Sequence, residues 1–223
     1  MLKNLLNLLF PKLCLGCNAL LLNNEKIICS ECNHNLPITN HHFLEHNDTT
    51  KKFYGIIPIE FSASMLYFHH KGIVQNLIHN LKYKNHQEVG SLLGKWYAKD
   101  LETVSQIQTV SEIIPVPLHK KRLEERGYNQ VTTFCEALSN ELKIPYNPDL
   151  LYRSRYSKTQ TKKDKENRKD IANSLFDVNF TEADHNKHFL LVDDVMTSGA
   201  TLEACAKALL KIPNSKVSIV TIA

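Results

Sequence analysis

The segment from residue 188 to residue 201 carries the strongest structural signal in this chain: His188-Phe189-Leu190-Leu191-Val192-Asp193-Asp194-Val195-Met196-Thr197-Ser198-Gly199-Ala200-Thr201. An apolar run ends in two adjacent acids, a hydroxyl-rich loop follows, and apolar residues then recur at helical spacing between residues 202 and 210. This order predicts a buried strand, a loop and a helix N-terminus, whose free backbone N–H groups and dipole attract a phosphate. Because adjacent carboxylates at a sheet edge repel each other and lose hydration, they should face a polyhydroxylated, metal-bearing ligand.

This segment resembles the 5-phosphoribosyl-1-pyrophosphate (PRPP) motif of the type I phosphoribosyltransferases, with which it agrees position by position. The resemblance implies that Asp193 and Asp194 hydrogen-bond the ribose 2- and 3-hydroxyls, directly or through Mg²⁺. It also implies that the 5-phosphate is held by the loop residues Thr197, Ser198, Gly199, Ala200 and Thr201. The alternative is an ordinary buried strand with an Asp-Asp turn, which would explain an isolated pair of acids but not the full motif.

Length and composition favour one domain of ordinary size with a small appendage, since 223 residues with 43% hydrophobic and 22% charged side chains are globular values. The net charge of +4 is concentrated, because residues 153–170 hold eight Lys and Arg against three acids. We interpret this local excess of positive charge as a segment that binds an anion.

No apolar run in the sequence reaches transmembrane length. The leucine-rich residues 1–10 lack a following cleavage site, so we interpret them as a short helix beside the cysteines rather than as a secretory signal. The expected location is therefore the cytoplasm.

Four of the six cysteines form two Cys-x2-Cys knuckles, Cys14 with Cys17 and Cys29 with Cys32. This spacing places four thiolates within reach of one tetrahedral Zn²⁺ at ~2.3 Å, and four protein ligands leave no open position for catalysis. We therefore predict a structural zinc site, with two disulfides or a redox-active pair as the alternatives.

The remaining histidines and cysteines considered are not predicted to bind metal. Four histidines read as polar linker residues, because the cysteines already fill the coordination sphere: His34, His41, His42 and His46. Cys135 and Cys205 fall on apolar faces of predicted helices and are interpreted as core residues.

Apolar periodicity predicts alternating strands and helices from about residue 53 onward. The predicted strands are Ala63–His69, Glu112–Val116, Leu150–Arg153, Ser174–Val178, His188–Asp193 and Lys216–Ile222. The predicted helices are Gly72–Tyr83, Glu88–Leu101, Tyr128–Leu142 and Ala200–Leu210. This alternation is typical of an α/β domain with a mostly parallel sheet flanked by helices. We divide the chain into a four-cysteine zinc-finger module at 1–36, a linker at 37–52 and a type I phosphoribosyltransferase-like domain at 53–223.

Two basic segments are candidates for the second half of the site. A predicted strand ends in a loop with Lys120, Lys121 and Arg122, which suits a pyrophosphate; the alternative is the solvated start of a basic helix. The stretch 153–170, with Arg153 and Arg155, is long and polar enough to act as a mobile cationic lid; the alternative is a solvated, unstructured run.

The order of motifs along the chain resembles the ComF family, the ComFC/GntX-type proteins associated with natural DNA uptake in competent bacteria. The motifs are the two cysteine knuckles, Leu81-Lys82-Tyr83, Pro115-Val116-Pro117 with Arg122 and Arg126-Gly127-Tyr128-Asn129-Gln130, and Arg153-x-Arg155 with Thr159-Gln160-Thr161, Arg168 and Asn173. The resemblance implies a type I phosphoribosyltransferase-like fold behind a zinc finger, a link to transformation and, in some bacteria, a helicase-like partner, ComFA. It does not supply the acceptor substrate.

The predicted activity is Mg²⁺-dependent phosphoribosyl transfer from PRPP to an unknown acceptor. The residues expected to carry it are Asp193, Asp194, Lys120, Arg122, Arg153 and Arg155. Purine enzymes of the hypoxanthine/guanine type have an acid where this chain has Thr197, so no general base is assigned. Aromatic residues between 53 and 68 are candidates for a base platform but are more typical of core. The alternatives are a catalytically silent PRPP- or nucleotide-binding protein and a single-stranded-DNA-binding accessory protein.

Overall fold

A computed structural model describes residues 11–154 and 175–223. Three of the sequence predictions lie outside these ranges, namely the helix at residues 1–10, the role of Arg155 and most of the lid at 153–170. Among the described residues, no helix is both long enough and apolar enough to cross a membrane.

The centre of the molecule is a four-stranded sheet in which all neighbouring strands are parallel. Its strands are β1 (Phe61–Ser64), β2 (Glu112–Pro115), β5 (His188–Asp193) and β6 (Lys216–Thr221), in the order β1-β6-β5-β2. A separate antiparallel pair consists of β3 (Leu151–Arg153) and β4 (Phe176–Val178). Strand β5 is central and covered on both faces, which is why it reads as a continuous apolar run.

The helices of the described residues are α1 (Ser30–His34), α2 (Asp48–Lys51), α3 (Ile73–Tyr83), α4 (Glu88–Leu101), α5 (Lys120–Arg126), α6 (Thr132–Leu142) and α7 (Ala200–Leu209). The longer helices flank the sheet, with α3, α4 and α6 in one hydrophobic cluster and α7 in the other. Short 3-10 turns lie at His41–Phe43, Ile107–Thr109 and Glu182–Asp184. The predicted fold class, a mostly parallel α/β domain with flanking helices and an N-terminal cysteine cluster, is confirmed.

The two faces of the sheet support two hydrophobic clusters. One joins α3, α4 and α6 and includes the buried cysteines of the N-terminal module, while the other joins α7 with β3 and β4. Cys135 belongs to the first cluster and Cys205 to the second, and both side chains are fully buried. Their predicted role as core residues is confirmed.

Helix α5 is a difference from the sequence prediction, which placed a basic loop there. The His119 imidazole accepts a hydrogen bond from the Lys121 N–H at 3.2 Å, and Lys120 approaches Glu124 at 3.7 Å one turn later. Charge pairs at this spacing favour a helix. Gly127, with φ of +76°, ends it in the left-handed conformation that glycine adopts readily.

The polar stretch at residues 37–52 contacts the edge of β1. The Asn47 side-chain amide donates to the Ser62 carbonyl at 2.8 Å, and the buried His41 ring lies 3.2 Å from the Thr49 hydroxyl. Burial lowers the pKa of His41, which favours the neutral ring within this network. The segment therefore covers a strand edge, while the division into module, linker and domain stays a prediction.

Candidate functional site

The four knuckle cysteines converge at the N-terminal end of the described chain. The sulfur atoms of Cys14, Cys17, Cys29 and Cys32 all lie within 4.8 Å of one another, and those of Cys17 and Cys29 are 3.7 Å apart. A tetrahedral ion with ~2.3 Å bonds to sulfur requires sulfur–sulfur distances of about 3.8 Å. These residues therefore fit a four-coordinate metal ion, and no other group of three or more His, Cys, Asp or Glu among the described residues does so.

Backbone donors surround the sulfur atoms of this cluster. The Cys14 sulfur accepts from the N–H groups of Cys29 at 3.2 Å and Gly16 at 3.4 Å, and the Cys29 sulfur accepts from Cys32 at 3.4 Å. Burial by itself would raise the pKa of the Cys14 thiol, but the backbone donors outweigh it and lower the pKa to about 7. Burial raises the pKa of Cys32 far above its usual value, and a cation bound by the four sulfurs would favour its thiolate form.

The cysteine module is attached to α3 by two buried or half-buried amides. Asn76 donates to the Gly16 carbonyl at 2.7 Å, and Asn80 donates to the Leu15 carbonyl at 2.9 Å. Both asparagines lie on one face of α3, because residues four apart on a helix are neighbours. The module is thereby fixed to α3, and the last turn of the same helix carries Lys82, which contacts Asp194.

The two acids lie at the carboxyl end of β5. Asp194 is 4% exposed, and its Oδ1 lies 2.8 Å from the ammonium group of Lys82 at the end of α3. Its other oxygen accepts a hydrogen bond from the side-chain amide of Gln130, which is also buried. Both oxygens of Asp194 are thus held by protein donors.

Asp193 has a different environment from its neighbour. Its Oδ1 accepts the backbone N–H of Asp194 at 2.8 Å. Burial, joined by repulsion from the Asp194 carboxylate, raises the pKa of Asp193 to about 7, although the Asp194 N–H and the Lys82 ammonium act in the opposite direction. A nearby cation is therefore expected to stabilise the charged form of this carboxyl group.

The loop after the acids ends at Gly199, which has φ of +81° and precedes the first residue of α7. A Cβ atom at this position would lie 3.3 Å from the buried ring of Phe53. Thr197 and Ser198 of the loop are exposed, and so is Thr201 in the first turn of α7. The first turn of α7 therefore presents N–H groups and hydroxyls at the same sheet edge as the acids, an arrangement suited to a phosphate.

The predicted basic residues are not all brought together. Arg122 lines a cleft of about 550 Å³ with Lys82, Lys84, Arg126 and other residues of the α3 and α5 ends. Lys120 and Arg153 line a different cleft of about 680 Å³, between α5 and the β3–β4 pair. Arg153 also lies over the Phe176 ring, 5.4 Å from its centre. Of the predicted cations within the described residues, Arg122 lies in the cleft that reaches Asp194 through Lys82.

Lys82 and Gln130 are contacts of the acid pair that the sequence reasoning did not select. Both belong to the short motifs that carry the family resemblance, Leu81-Lys82-Tyr83 and Arg126-Gly127-Tyr128-Asn129-Gln130. The structure joins these motifs directly, since the Tyr128 hydroxyl donates to the Leu81 carbonyl at 2.6 Å. Lys82 and Gln130 could therefore have been selected from the sequence as polar residues of two family motifs to which no role had been assigned.

Arg126 extends the contacts of the acid pair to the surface of the cleft. Its guanidinium group donates to the Gln130 side-chain carbonyl oxygen at 2.7 Å and lies 4.9 Å from the centre of the Tyr83 ring. The series Tyr83, Arg126, Gln130 and Asp194 thus connects the exposed cleft to the buried carboxylate.

The aromatic residues considered as a base platform divide between core and surface. Phe53 is buried beneath the loop, Phe61 and Phe68 are half-buried against the core, and Tyr54 and Tyr67 are exposed. Phe53 is the one that contacts the site, through its position under Gly199.

Parts of this chain are similar to known proteins. Residues 132–223 match the phosphoribosyl transferase domain family, a range that includes the acid pair and the loop. DNA utilization protein YhgH of Shigella flexneri is 30% identical over 138 residues, which are 60% of this chain and 60% of that protein. Competence protein F of Haemophilus influenzae is 28% identical over 147 residues, 64% of each chain. Competence protein ComFC of Bacillus subtilis is 32% identical over 99 residues, 44% of this chain and 38% of that protein. The alignments span less than two thirds of the length of these relatives.

Proposed function

Because the chain belongs to the ComF family, we propose that it is a Mg²⁺-dependent, PRPP-binding protein of the phosphoribosyltransferase type that serves DNA uptake. The observation that carries the proposal is the arrangement at one sheet edge, where two acids precede a glycine-ended loop and the N-terminus of α7. The names of the relatives, which refer to competence and DNA utilization, support the biological context. The cytoplasmic location and a helicase-like partner stay predictions.

Each part of PRPP has candidate partners in the described chain. The 5-phosphate would be held by the loop through Thr197, Ser198, Gly199, Ala200 and Thr201. The acid pair Asp193 and Asp194 would lie beside the ribose, and Mg²⁺, which binds oxygen ligands and keeps several waters, would neutralise the pyrophosphate there. Arg122 is better placed than Lys120 to contact the pyrophosphate, because its cleft is lined by Lys82, the partner of Asp194.

The metal of the cysteine module is proposed to be Zn²⁺. Four sulfur ligands at tetrahedral spacing suit this ion, and they leave it no position for a substrate. The metal would stabilise the module and take no part in the transfer of the phosphoribosyl group.

The acceptor is the open part of the proposal. Thr197 is exposed at the place where purine enzymes of the hypoxanthine/guanine type have an acid, so this chain offers no carboxylate there to accept a proton from a purine. We therefore expect PRPP binding to be easier to detect than transfer to a purine base.

Calorimetry with PRPP, with and without Mg²⁺, tests the proposal. The wild-type protein should bind PRPP only with Mg²⁺, and Asp193→Asn combined with Asp194→Asn should abolish binding. Asp177→Asn, which removes a half-exposed carboxylate paired with Lys211 beyond the C-terminal end of α7, is the matched control and should bind normally. A wild-type protein that is folded, holds its zinc and still does not bind PRPP would refute the proposed function.

The second candidate function is binding of single-stranded DNA, and the cleft beside the acid pair favours it. This cleft combines Lys84, Arg122 and Arg126 with the exposed ring of Tyr83, and cations with aromatic rings are the usual elements of single-strand binding. Fluorescence anisotropy with a labelled oligonucleotide separates the candidates. Lys84→Gln combined with Arg122→Gln should weaken DNA binding and reduce its salt dependence, whereas Asp193→Asn should leave it unchanged.

A further inference from the structure

Lys82 occupies an unusual position for a lysine. It lies in the last turn of α3, its side chain is 21% exposed, and its ammonium group is 2.8 Å from Oδ1 of a carboxylate that is 6% exposed. A pair this poorly hydrated is stable only when both groups keep their partners, because either charge alone would be left in a medium of low polarity.

Each oxygen of the Asp194 carboxylate already has a side-chain donor from the protein. Lys82 holds one oxygen and Gln130 holds the other, and Gln130 is in turn fixed by Arg126. In Asp193, by contrast, one oxygen accepts a backbone N–H, and the part of the chain that the structure describes supplies no side-chain donor to this carboxylate. The two acids are equivalent in the sequence motif and unequal in the structure.

We infer that Lys82 is a positioning residue of the PRPP site, which acts through Asp194 and leaves Asp193 as the acid that meets the ligand. The inference rests on the proposed PRPP binding and names a residue that determines how the same site is arranged. The ammonium group of Lys82 cancels one of two adjacent negative charges and fixes the orientation of the side chain that carries it. Asp194 then supports the loop geometry, while the charge of Asp193 remains for the ligand and its metal ion.

A double-mutant cycle measures whether Lys82 acts through Asp194. The variants are Lys82→Met, Asp194→Asn and the two combined, each assayed for PRPP affinity at saturating Mg²⁺. Loss of a residue that orients a side chain of a binding site costs about 10- to 100-fold in affinity. We expect each single variant to lose about this much, and the double variant to lose no more than the weaker-binding single variant, because both substitutions break the same contact.

Two further variants make the cycle specific. Lys82→Arg, which keeps the charge and can still reach Asp194, should bind PRPP within a few-fold of the wild type. Lys95→Met removes an exposed lysine of α4, outside both clefts, and should bind like the wild type.

Unfolding by urea without ligand keeps the inference testable if a variant is unstable. Lys82→Met should lower the free energy of unfolding, since it leaves the Asp194 charge without its cation, and adding Asp194→Asn should restore part of the loss. Additive losses of PRPP affinity in the cycle would mean that Lys82 contacts the ligand directly, and would overturn the inference alone. Absence of coupling in urea would also overturn it alone, because no ion pair would then exist. Absence of PRPP binding in the wild type would instead overturn the proposed function and the inference with it.

Discussion

The cysteine cluster and the acid pair are assembled over very different distances along the chain. All four cysteines lie between residues 14 and 32, and backbone N–H groups within the same segment surround their sulfur atoms. The acid pair draws its contacts from Lys82 on α3, Gln130 before α6 and Phe53 beneath the neighbouring loop. A metal site built from local turns can be recognised from spacing alone, whereas a ligand site built from distant elements cannot.

Helix α3 joins the two regions. Asn76 and Asn80 hold the cysteine module on this helix, and Lys82 at its end holds Asp194. Damage to the module should therefore reach the acid pair only as far as it displaces α3. Substitutions within each region, and at the contacts of α3, separate the local stability of the two regions from the coupling between them.

The largest effect is expected from removing a metal ligand. Cys14→Ser should lose the metal and unfold the module, because structural zinc contributes about 10–16 kcal/mol in finger peptides at neutral pH. Metal content by mass spectrometry and the Tm of the protein measure this directly. Cys135→Ala, which changes a buried thiol outside the cluster, should keep the full metal content. Equal metal content in the two variants would contradict a four-cysteine site.

The next largest effect concerns the ionised form of Asp193, which lowers the free energy of unfolding by an amount that depends on pH. The pKa of Asp193 is about 7 in the folded chain. An unfolded aspartate has a pKa of about 3.9, so the folded state holds the extra proton between these values and loses stability as the pH rises through them. Asp193→Asn should therefore stabilise the protein, in the absence of PRPP and Mg²⁺, by about 1–3 kcal/mol at pH 8. The gain should shrink as the pH falls toward 5, and urea unfolding at several pH values measures it.

Asp177→Asn is the matched control with the opposite sign. The hydrogen bond from Lys211 lowers the pKa of Asp177, so its charged form stabilises the folded state above the unfolded pKa, and that contribution is lost as the pH falls through the folded pKa. The substitution should slightly destabilise the protein at pH 8. A stabilising effect of both substitutions at pH 8 would show that the gain at Asp193 reflects general charge removal.

A smaller effect is expected at the loop glycine. Gly199→Ala places a Cβ atom 3.3 Å from Phe53 and also requires alanine at φ of +81°. The left-handed conformation alone costs about 1–2 kcal/mol. Gly127→Ala has the same backbone requirement, at φ of +76°, but no atom within 4 Å of the new Cβ. Urea unfolding should show a larger decrease in the free energy of unfolding for Gly199→Ala than for Gly127→Ala. Equal decreases would mean that the Phe53 ring moves aside at no measurable cost.

The smallest effect tests the attachment between the two regions. Asn80→Ala removes the hydrogen bond to the Leu15 carbonyl and should cost about 1 kcal/mol, with the metal content unchanged. Asn33→Ala changes an exposed asparagine of the module and should have little effect on stability. If Asn80→Ala also weakens PRPP binding, the cysteine module communicates with the acid pair through α3. If affinity is unchanged, the attachment serves stability alone.

The sequence predicted β5, the loop and α7 to within one residue, because a buried parallel strand and an amphipathic helix leave strong periodic signals. The grouping of the four cysteines was predicted equally well, from their spacing along the chain. Strand β1 was predicted to run from Ala63 to His69 but ends at Ser64, after which Met65 and Leu66 still bond to the end of the chain. Strand ends depend on neighbouring strands, which periodicity does not reveal.

Lys120 and Arg122 show why the second half of the site was harder to predict. As members of one basic loop they were expected to act together, but they lie two residues apart on α5. Successive residues of an α-helix are separated by about 100°, so two residues at this spacing point to nearly opposite sides. Each therefore lines a different cleft.

The sequence by itself determined the features that depend on neighbours along the chain. These are the apolar strand followed by two acids, the glycine that ends the loop and the four cysteines at metal-binding spacing. Only the tertiary structure decided that the two acids differ, because Lys82 and Gln130 approach Asp194 from elements 112 and 64 residues away along the chain. Sequence motifs record which groups are present, but burial and the direction of approach set the charge and the hydrogen bonds that each group retains.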